Sequence, residues 1–392
     1  MKYNFDEIIN RENTNSIKWD FRKDIFGKAD VIPLWVADMD FRTPDFILNA
    51  IRERAQHEIL GYTYHSESFF GAARDWLLRR NGWQTDIKDM AFSPGIVPAL
   101  SFAVKAFTNK GDTILIQPPT YMPFFSVISE HKRTMLSNPL IETDGYYEID
   151  FDDFEQKLAG GVKLFIFCNP HNPVGRVWTK DELLKIGNLC VKYNVKIISD
   201  EIHSDLIFKP NKHIHLASLS NEIAQQTLTC IAPSKTFNLA GLSSSIVHSV
   251  NPDILNTFNS CIKLYHADMG NLFGNVALET AYKQGDDWLE QLLEYIEGNI
   301  DWVKSYLDKN IPQISVWKTE GTYFMWLNFK KLNLSQTKLN NFLINNAGLG
   351  LNDGVSFGKN GYGFMRLNTA CPRALLQKAM QQLKSAVDLL IC

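Results

Sequence analysis

The stretch from Thr227 to Ser243 reads TLTCIAPSKTFNLAGLS, and it decides the prediction of the fold. Its first six residues are apolar or β-prone, which predicts a buried strand that ends shortly before Lys235. A charged lysine at the end of a buried strand is costly unless it is paired, neutral or used covalently. Taken alone, Lys235 could also be an exposed lysine just past the strand.

Two apolar runs upstream of this stretch also end in polar residues. The run at 164–168 leads into Asn169-Pro-His-Asn-Pro-Val-Gly, and the run at 195–199 leads into Asp200-Glu201. Because the carboxyl ends of parallel strands meet at one edge of a sheet, we expect these asparagine, aspartate and lysine side chains to converge there. A lysine that faces an acidic partner is the arrangement that covalent attachment of pyridoxal phosphate requires.

Short apolar runs alternate with amphipathic segments between residues 90 and 250. The pattern predicts a helix over 96–107 and a second helix that opens at Thr179 with a capping box. It predicts strands at 113–117, 162–168, 196–199, 227–232 and 244–250. Such alternation indicates an α/β fold, in which a mainly parallel sheet is covered by helices.

The two ends of the chain follow a different pattern. Residues 1–45 are irregular and rich in aromatic side chains, whereas a long amphipathic segment from Trp288 precedes further β-prone runs. We therefore expect residues 46–285 to form a large cofactor-binding domain. Residues 1–45 and 286–392 are expected to combine into a smaller α+β domain.

The composition limits the class of protein and of partner. Hydrophobic residues make up 45% of the 392 residues and charged residues 21%, as is typical of a soluble globular protein. A net charge of -3 argues against binding to nucleic acid or to an anionic membrane. The chain has neither a signal-peptide core nor an apolar run of membrane-spanning length, so we expect a cytoplasmic protein that acts on a small molecule.

The cysteines and histidines do not form a metal motif. The six cysteines are scattered and include no CxxC pair, so we expect them to be buried free thiols. His203, Asp205, His213 and His215 lie close in sequence but lack regular ligand spacing. We therefore predict no metal site.

Several stretches resemble one enzyme family when they are taken in combination, although each is weak alone. Besides Lys235 with its neighbours Ser234, Thr236 and Gly241, they are LWVADMDF at 34–41, GYT at 61–63, SPGIV at 93–97, QPPTYMPF at 117–124, CNPHNPVGR at 168–176, SDEIHSDL at 199–206 and FMRLN at 364–368. They run through nearly the whole chain. By them the chain resembles fold-type I pyridoxal phosphate enzymes of the aminotransferase superfamily, and within it the cystathionine β-lyase (C–S lyase) subgroup.

The resemblance implies roles for four residues around the ring of the cofactor. Lys235 would hold pyridoxal phosphate as a Schiff base, and Asp200 would pair with the pyridine nitrogen so that the ring accepts electrons. Asn172 would donate to the phenolic oxygen, and Tyr121 would stack on the ring. Without the family, Asp200, Asn172 and Tyr121 read as a loop carboxylate, a turn residue and a packed tyrosine. His203 stands where many relatives have a tyrosine that donates to the phenolic oxygen, and its role stays open.

A phosphate site is implied as well. Gly95, Ile96 and Val97 lie at the start of a predicted helix, whose N-terminal N–H groups can bind an anion. By resemblance, Ser234 adds its hydroxyl to this site. Tyr62 reaches it from a neighbouring subunit, which implies a homodimer with shared active sites.

One position departs from the family pattern. Many aminotransferases have Arg or Lys after the glycine of the lysine loop, whereas here Gly241-Leu leads to Ser243. Neutralisation of the phosphate is then expected to rest on the helix N-terminus, on hydroxyl groups or on an unidentified cation.

The resemblance assigns Arg366 to the substrate, as a bidentate clamp for its α-carboxylate. A surface ion pair is the alternative for this residue. The implied reaction is α,β-elimination from cystathionine or a related L-cysteine S-conjugate, which yields a thiol, pyruvate and ammonia. Lys235 is the expected base at Cα, and it must be a neutral amine to act.

Two other functions stay open at this point. A pyridoxal phosphate-dependent aminotransferase would use the same residues, because both reactions begin with proton loss from Cα. A regulatory protein that binds a transcription factor is an alternative of another class, since some lyases of the subgroup have such a second role. The intact Lys235, Asp200 and Arg366 argue against a vestigial enzyme site.

Overall fold

The structure is a computed structural model that describes residues 2–391. The helices are α1 (Arg22–Phe26), α2 (Asp45–Gln56), α3 (Glu67–Asn81), α4 (Ile96–Phe107), α5 (Met122–Glu130), α6 (Phe151–Ala159), α7 (Lys180–Lys192), α8 (Asn221–Ala224), α9 (Pro233–Thr236), α10 (Pro252–Leu264), α11 (Leu272–Gln284), α12 (Asp286–Asn310), α13 (Gln336–Asn345) and α14 (Arg373–Ile391). The strands are β1 (Ile32–Pro33), β2 (Met90–Ser93), β3 (Thr113–Ile116), β4 (Thr134–Ser137), β5 (Ile141–Thr143), β6 (Tyr146–Glu148), β7 (Leu164–Cys168), β8 (Lys196–Asp200), β9 (Thr227–Ile231), β10 (Ser245–His248), β11 (Phe324–Asn328), β12 (Leu349–Gly350), β13 (Asn352–Asp353) and β14 (Phe364–Asn368).

The main sheet has seven strands in the order β2-β10-β9-β8-β7-β3-β4. Strands β9, β8, β7, β3 and β4 are parallel, while β10 is antiparallel to both of its neighbours. Every residue of β7 and of β9 is buried, as expected for strands that helices cover on both faces. The predicted α/β fold with a mainly parallel sheet is confirmed.

Local sequence signals set the starts of two helices near the site. The Thr179 side chain accepts from the N–H of Glu182, and the Glu182 carboxylate accepts from the N–H of Thr179, so the predicted capping box opens α7. Gly95 precedes α4 with φ +115°, a conformation that side chains rarely allow. The helix predicted over 96–107 and the five predicted strands are present to within two residues at each end.

The two ends of the chain meet in the same part of the molecule. Strand β1 pairs in parallel with β12, where Ile32 lies opposite Leu349. Strands β11, β14 and β13 form a separate antiparallel sheet, and Phe5 packs with Trp288 in one hydrophobic cluster. The division into a domain of residues 46–285 and a smaller one from both ends stays a prediction.

The cysteines that the structure describes are buried free thiols, as predicted, while Cys392 lies outside the described residues. None of the helices within residues 2–391 combines the length and the apolar composition that crossing a membrane requires.

Candidate active site

The carboxyl ends of β7, β8 and β9 lie side by side at one edge of the main sheet. Cys168 at the end of β7 lies opposite Asp200 at the end of β8, and Asp200 lies opposite Cys230 in β9. A cavity of about 300 Å³ opens at this edge. We call it the catalytic cavity, and its walls are Ala37, Pro94, Gly95, Ile96, Val97, Pro98, Tyr121, Cys168, Asn172, Asp200, Ile202, His203, Ser234, Lys235, Ala240, Ser243 and Ser244. Eight of the predicted site residues are therefore brought together here.

Lys235 lies on α9, immediately after β9, and is half-buried. Its Nζ donates to the carbonyl oxygen of Ala37 at 2.7 Å, and the Tyr323 hydroxyl donates to the same oxygen at 2.9 Å. Burial, together with the nearby charge of Arg366, lowers the pKa of Lys235 to about 8. A large share of this amine is therefore neutral near pH 8, as a base or nucleophile requires.

Asp200 is buried, with 2% of its surface exposed. The backbone N–H of Ile202 donates to its Oδ1 at 3.2 Å, but no cation among the described residues lies within ion-pair distance. Burial raises the pKa of Asp200 to about 7, although the Ile202 hydrogen bond and the charge of Lys235 act in the opposite direction. This carboxylate is therefore suited to a cationic partner inside the cavity.

Arg366 is buried in β14 and reaches the wall of the catalytic cavity at Asn172. Its Nη1 donates to Asn172 Oδ1 at 3.0 Å, and its Nη2 donates to the Trp35 carbonyl at 2.9 Å and to Asn352 Oδ1 at 2.6 Å. Its Nε is buried without a partner in the part of the chain that the structure describes. Burial lowers the pKa of Arg366 to about 10, so the side chain is charged at neutral pH.

The contact with Arg366 also orients the amide of Asn172. Because Asn172 Oδ1 accepts from the guanidinium, the amide NH₂ group is left to donate elsewhere. Asn172 itself lines the catalytic cavity. The amide therefore offers a donor to a group in the cavity, in keeping with its predicted role.

Tyr121 and His203 are two further ring-bearing residues of the cavity wall. Burial raises the pKa of Tyr121, which therefore remains a neutral phenol. Burial and the charges of Lys235 and Arg366 hold the pKa of His203 well below its usual range, so this imidazole is neutral. Its Nδ1 is buried without a partner among residues 2–391. His203 therefore places a neutral imidazole ring in the cavity wall, and whether this ring contacts the cofactor stays open.

The predicted phosphate site lies at the N-terminus of α4. The first N–H groups of a helix have no partner within it, and those of Ile96 and Val97 follow Gly95 in the cavity wall. Ser234 also lines the cavity, at the start of α9. These residues offer hydrogen-bond donors to an anion.

Ser244 is a site residue that the sequence prediction missed. Its hydroxyl is buried in the cavity wall and finds no partner within the described chain. Ser243, the position that departs from the family pattern, lines the same wall, and Lys235 is the only lysine or arginine among the described lining residues. The run Ser243-Ser244-Ser245 after Gly241 was a signal that could have identified a hydroxyl-rich wall.

Tyr62 is the one predicted cofactor-binding residue that lies apart from the catalytic cavity of its own chain. Its side chain is 97% exposed, on an irregular segment between α2 and α3. Ile59, Leu60 and Tyr64 on the same segment are also exposed. The contribution of Tyr62 to the site of a neighbouring subunit stays a prediction.

Glu201 forms a buried cluster that the sequence analysis did not anticipate. Its Oε2 accepts from His213 Nε2 at 2.8 Å and from His215 Nδ1, while Oε1 accepts from Ser199 Oγ at 2.6 Å and from the N–H of Leu216 at 3.2 Å. The two histidines hold the pKa of Glu201 below its usual range. The potential ligand atoms of Glu201, His213 and His215 all lie within 4.8 Å of one another. The two histidines are thus grouped with Glu201 and not with His203 and Asp205.

Hydrogen bonding accounts for the spacing of this cluster. Tetrahedral zinc with ligands at about 2.0–2.1 Å places its ligand atoms about 3.3 Å apart. The nitrogens of His213 and His215 lie closer than that to Glu201 Oε2. Glu201 follows Asp200 directly in the chain, and the absence of a metal site stays a prediction.

The similarity of the chain to known proteins agrees with this geometry. Residues 29–383 match the sequence profile of the family described as aminotransferase class I and II. The chain is 43% identical over 388 residues to the cystathionine beta-lyase PatB of Bacillus subtilis. The aligned region covers 98% of this chain and 100% of that protein.

Two solved structures are similar over almost their entire length. Cystalysin from Treponema denticola, which contains a pyridoxal 5'-phosphate cofactor, has a TM-score of 0.97 and 36% identity, covering 100% of both chains. The pyridoxal phosphate-bound C–S lyase from Staphylococcus hominis has a TM-score of 0.92 and 36% identity, covering 98% of both chains.

Proposed function

Since the chain belongs to the aminotransferase class I and II family, we propose that it is a pyridoxal phosphate-dependent carbon–sulfur lyase. It cleaves cystathionine or related S-substituted L-cysteines to a thiol, pyruvate and ammonia. Its full-length similarity to a cystathionine beta-lyase is the observation that favours elimination over amino transfer.

The residues of the catalytic cavity fit the cofactor. The buried carboxylate of Asp200 lacks a cation, which a protonated ring nitrogen would supply. The unpartnered hydroxyl of Ser244, with the N–H groups at the start of α4, suits a phosphate. Bound pyridoxal phosphate supplies an aldehyde that reacts with primary amines and a ring that withdraws electrons from the substrate Cα.

Lys235 is the group that removes the proton from the substrate Cα in this proposal. Its pKa of about 8 supports that role, because a neutral fraction exists at working pH. The hydrogen bond from Nζ to the Ala37 carbonyl keeps the amine at the cavity wall. Asp200, once paired with a cation, is held ionised and stabilises positive charge on that partner.

Arg366 binds the α-carboxylate of the substrate. Its unpartnered Nε and its charge at neutral pH support this role, since a carboxylate would satisfy a donor that is otherwise buried at a cost. The Arg366 bond to Asn172 couples the substrate clamp to a wall of the cofactor cavity. Substrate orientation and cofactor contact are therefore supported by one network.

Replacing Lys235 with Ala tests this function. We expect Lys235→Ala to lose the absorbance of covalently held cofactor and the release of thiol and pyruvate. Lys212→Ala, at an exposed lysine outside the cavity, should retain both. Full turnover by Lys235→Ala without an added amine would contradict the proposal.

The same preparation separates elimination from amino transfer. Purified protein is incubated with cystathionine without a keto acid, and free thiol and pyruvate are measured. Thiol release without an acceptor supports the lyase. Amino transfer to an added keto acid without thiol release would make the aminotransferase the better assignment.

We also propose a homodimer in which Tyr62 completes the phosphate site of the partner. Support comes from the exposure of Tyr62 and of its apolar neighbours Ile59 and Leu60. Mixing inactive Lys235→Ala with inactive Tyr62→Ala protein should restore activity, because some mixed dimers contain one intact site. Light scattering that reports only monomer, or no recovery in mixed dimers, would exclude the shared site.

The proposed domain division follows the same assignment. Residues 46–285 would form the cofactor-binding domain, and residues 1–45 with 286–392 the smaller domain. The pairing of β1 with β12 supports it. Limited proteolysis that releases a stable fragment near residues 46–285 would test the boundaries.

A further inference from the structure

The carbonyl oxygen of Ala37, a residue that lines the catalytic cavity, accepts two hydrogen bonds. Lys235 Nζ donates to this oxygen at 2.7 Å, and the Tyr323 hydroxyl donates to it at 2.9 Å. A carbonyl oxygen has two lone pairs, so these two donors use its full capacity. Tyr323 is therefore one oxygen atom away from the amine that the proposed function assigns as the base at Cα.

Tyr323 is an uncharged group behind the cavity wall. Its side chain is fully buried, and it is not among the residues that line the catalytic cavity. Burial and the charge of Asp38 raise the pKa of Tyr323 well above its usual range, so its hydroxyl keeps its proton at neutral pH. A hydroxyl that keeps its proton does not act as a base. Its effect on the reaction must therefore pass through the Ala37 carbonyl.

The position of the Tyr323 hydroxyl is fixed by packing on the ring and by bonds to the backbone. The ring packs edge-on against His203 and Phe324, with ring centroids 5.8 Å and 4.7 Å apart. The carbonyl of Tyr323 accepts from both the N–H and the Oγ1 of Thr369, each at 2.9 Å. A tyrosine held in this way directs its hydroxyl at one acceptor.

The backbone on both sides of Ala37 is held as well. Asn368 Nδ2 donates to the carbonyls of Val36 and Asp38, each at 2.7 Å. The Ala37 carbonyl lies between these two, and Tyr323 holds it. Three consecutive carbonyl groups are therefore fixed by two side chains from neighbouring parts of the small antiparallel sheet.

A fixed oxygen at this place orients the amine of Lys235. Neutral Nζ has two N–H groups and one lone pair, and donation of one N–H to Ala37 restricts the direction in which the lone pair points. When the Cα–H bond breaks, the proton goes to that lone pair and the electron pair stays with the substrate carbon, as in the proposed function. The ammonium that is formed still donates to the same oxygen, in a charge-assisted hydrogen bond.

We propose that Tyr323 is a positioning residue for the proton transfer at Cα, because its hydroxyl fixes the carbonyl that orients the Lys235 amine. This inference deepens the proposed function and rests on Lys235 as the base. It is independent of the group that leaves Cβ, since proton loss from Cα precedes elimination and amino transfer alike.

Tyr323→Phe tests the assignment, because it removes the hydroxyl and keeps the ring. The holoenzyme is incubated with L-alanine in deuterium oxide, and replacement of the Cα hydrogen by deuterium is followed by proton NMR. L-alanine has no leaving group on Cβ, so the exchange rate reports proton transfer at Cα alone. We expect kcat for exchange to fall about tenfold and KM to stay within about twofold, since a small misplacement of a reacting group is costly.

The apoprotein gives a readout that is independent of turnover. Attachment of pyridoxal phosphate uses the same lone pair of Lys235, so its initial rate at pH 8 should fall by about threefold or more in Tyr323→Phe. The final absorbance of the attached cofactor should equal that of wild type, because the amine itself is unchanged.

Tyr147→Phe is the matched control. Tyr147 is also buried, and its hydroxyl accepts from Trp326 Nε1 at 3.0 Å, on residues that do not line the catalytic cavity. Both variants lose a buried hydroxyl that forms a hydrogen bond, so both should unfold at lower urea concentrations than wild type. Tyr147→Phe should nevertheless keep the exchange rate and the attachment rate of wild type.

The outcomes separate this inference from the proposed function. Exchange and attachment at wild-type rates in Tyr323→Phe, or an equal loss of both rates in Tyr147→Phe, overturns the assignment of Tyr323 alone. Exchange by wild type without thiol release from cystathionine overturns the lyase function and leaves the assignment of Tyr323 in place. Absence of exchange in wild type overturns Lys235 as the base and this inference with it.

Discussion

Arg366 and Asn172 are joined by a hydrogen bond of 3.0 Å from Nη1 to Oδ1, although 194 residues separate them in the chain. Both side chains are buried, so the bond is shielded from water. The amide of Asn172 is oriented by the arginine, and the arginine is oriented by Asn172, Trp35 and Asn352. A change at either residue should therefore affect both halves of the site.

Replacing Arg366 with Lys should impair substrate binding and disturb the cofactor together. Lysine lacks the planar fork, so we expect kcat/KM to fall about 100-fold, as truncation of a buried charge contact costs roughly 2–5 kcal/mol. The absorbance of the bound cofactor should also shift, because Asn172 loses its donor. The control variant Arg74→Lys, at an exposed arginine, should alter neither kcat/KM nor the absorbance of the cofactor. A loss of kcat/KM with an unchanged spectrum would show that the contact between Arg366 and Asn172 does not couple substrate binding to the environment of the cofactor.

The reactivity of Lys235 should depend on pH in an unusual range. Its pKa of about 8 lies below the ordinary value for lysine, so half of the amine is neutral at pH 8 and the neutral fraction levels off above about pH 9. We expect the rate at which the apoprotein attaches pyridoxal phosphate to follow that curve. Asp200→Asn removes the carboxylate that titrates near pH 7, and it should shift the curve to lower pH because the charge of Asp200 acts to raise the pKa of Lys235. A rate that keeps rising to pH 10 would place the lysine in an ordinary solvated state.

Asp200 should destabilise the apoprotein above acidic pH. Its folded-state pKa of about 7 lies above the unfolded value, so the folded state binds a proton more tightly and stability falls as pH rises from 4 to 7. The Asp200→Asn variant cannot ionise at this position, so its stability does not fall in this way. At pH 8 the free energy of unfolding of its apoprotein should exceed that of wild type by roughly 2–4 kcal/mol. The difference should shrink towards pH 4. Urea unfolding at pH 4, 6 and 8 measures it, and a difference independent of pH would contradict the prediction.

Glu201→Gln should destabilise the fold near the site. The change removes the charge that His213 and His215 surround, and loss of a buried charge partner costs about 3 kcal/mol. Urea unfolding at neutral pH would detect this loss. Glu155→Gln, at an exposed carboxylate that accepts from Lys192, should leave the unfolding free energy nearly unchanged. Equal effects of the two changes would argue that the buried cluster around Glu201 does not stabilise the fold.

Sequence patterns were sufficient for the elements that carry the site. Apolar runs of strand length predicted β7, β8 and β9, and parallel strands necessarily bring their carboxyl ends to one edge, so Asn172, Asp200 and Lys235 could be grouped in advance. The start of α4 after Gly95 could likewise be predicted, because only a local backbone conformation is involved. Local periodicity and chain direction fix these features.

Contacts between distant segments could not be read in this way. Three features depend on how loops and strands pack: the Ala37 carbonyl that accepts from Lys235, the free hydroxyl of Ser244 and the cluster around Glu201. No local spacing encodes which backbone oxygen faces a given amine, since side-chain direction across a cavity is set by tertiary packing. The sequence by itself determined the sheet edge and the lysine and aspartate on it, whereas the tertiary structure decided their hydrogen-bond partners, their altered pKa values and the shape of the space beside them.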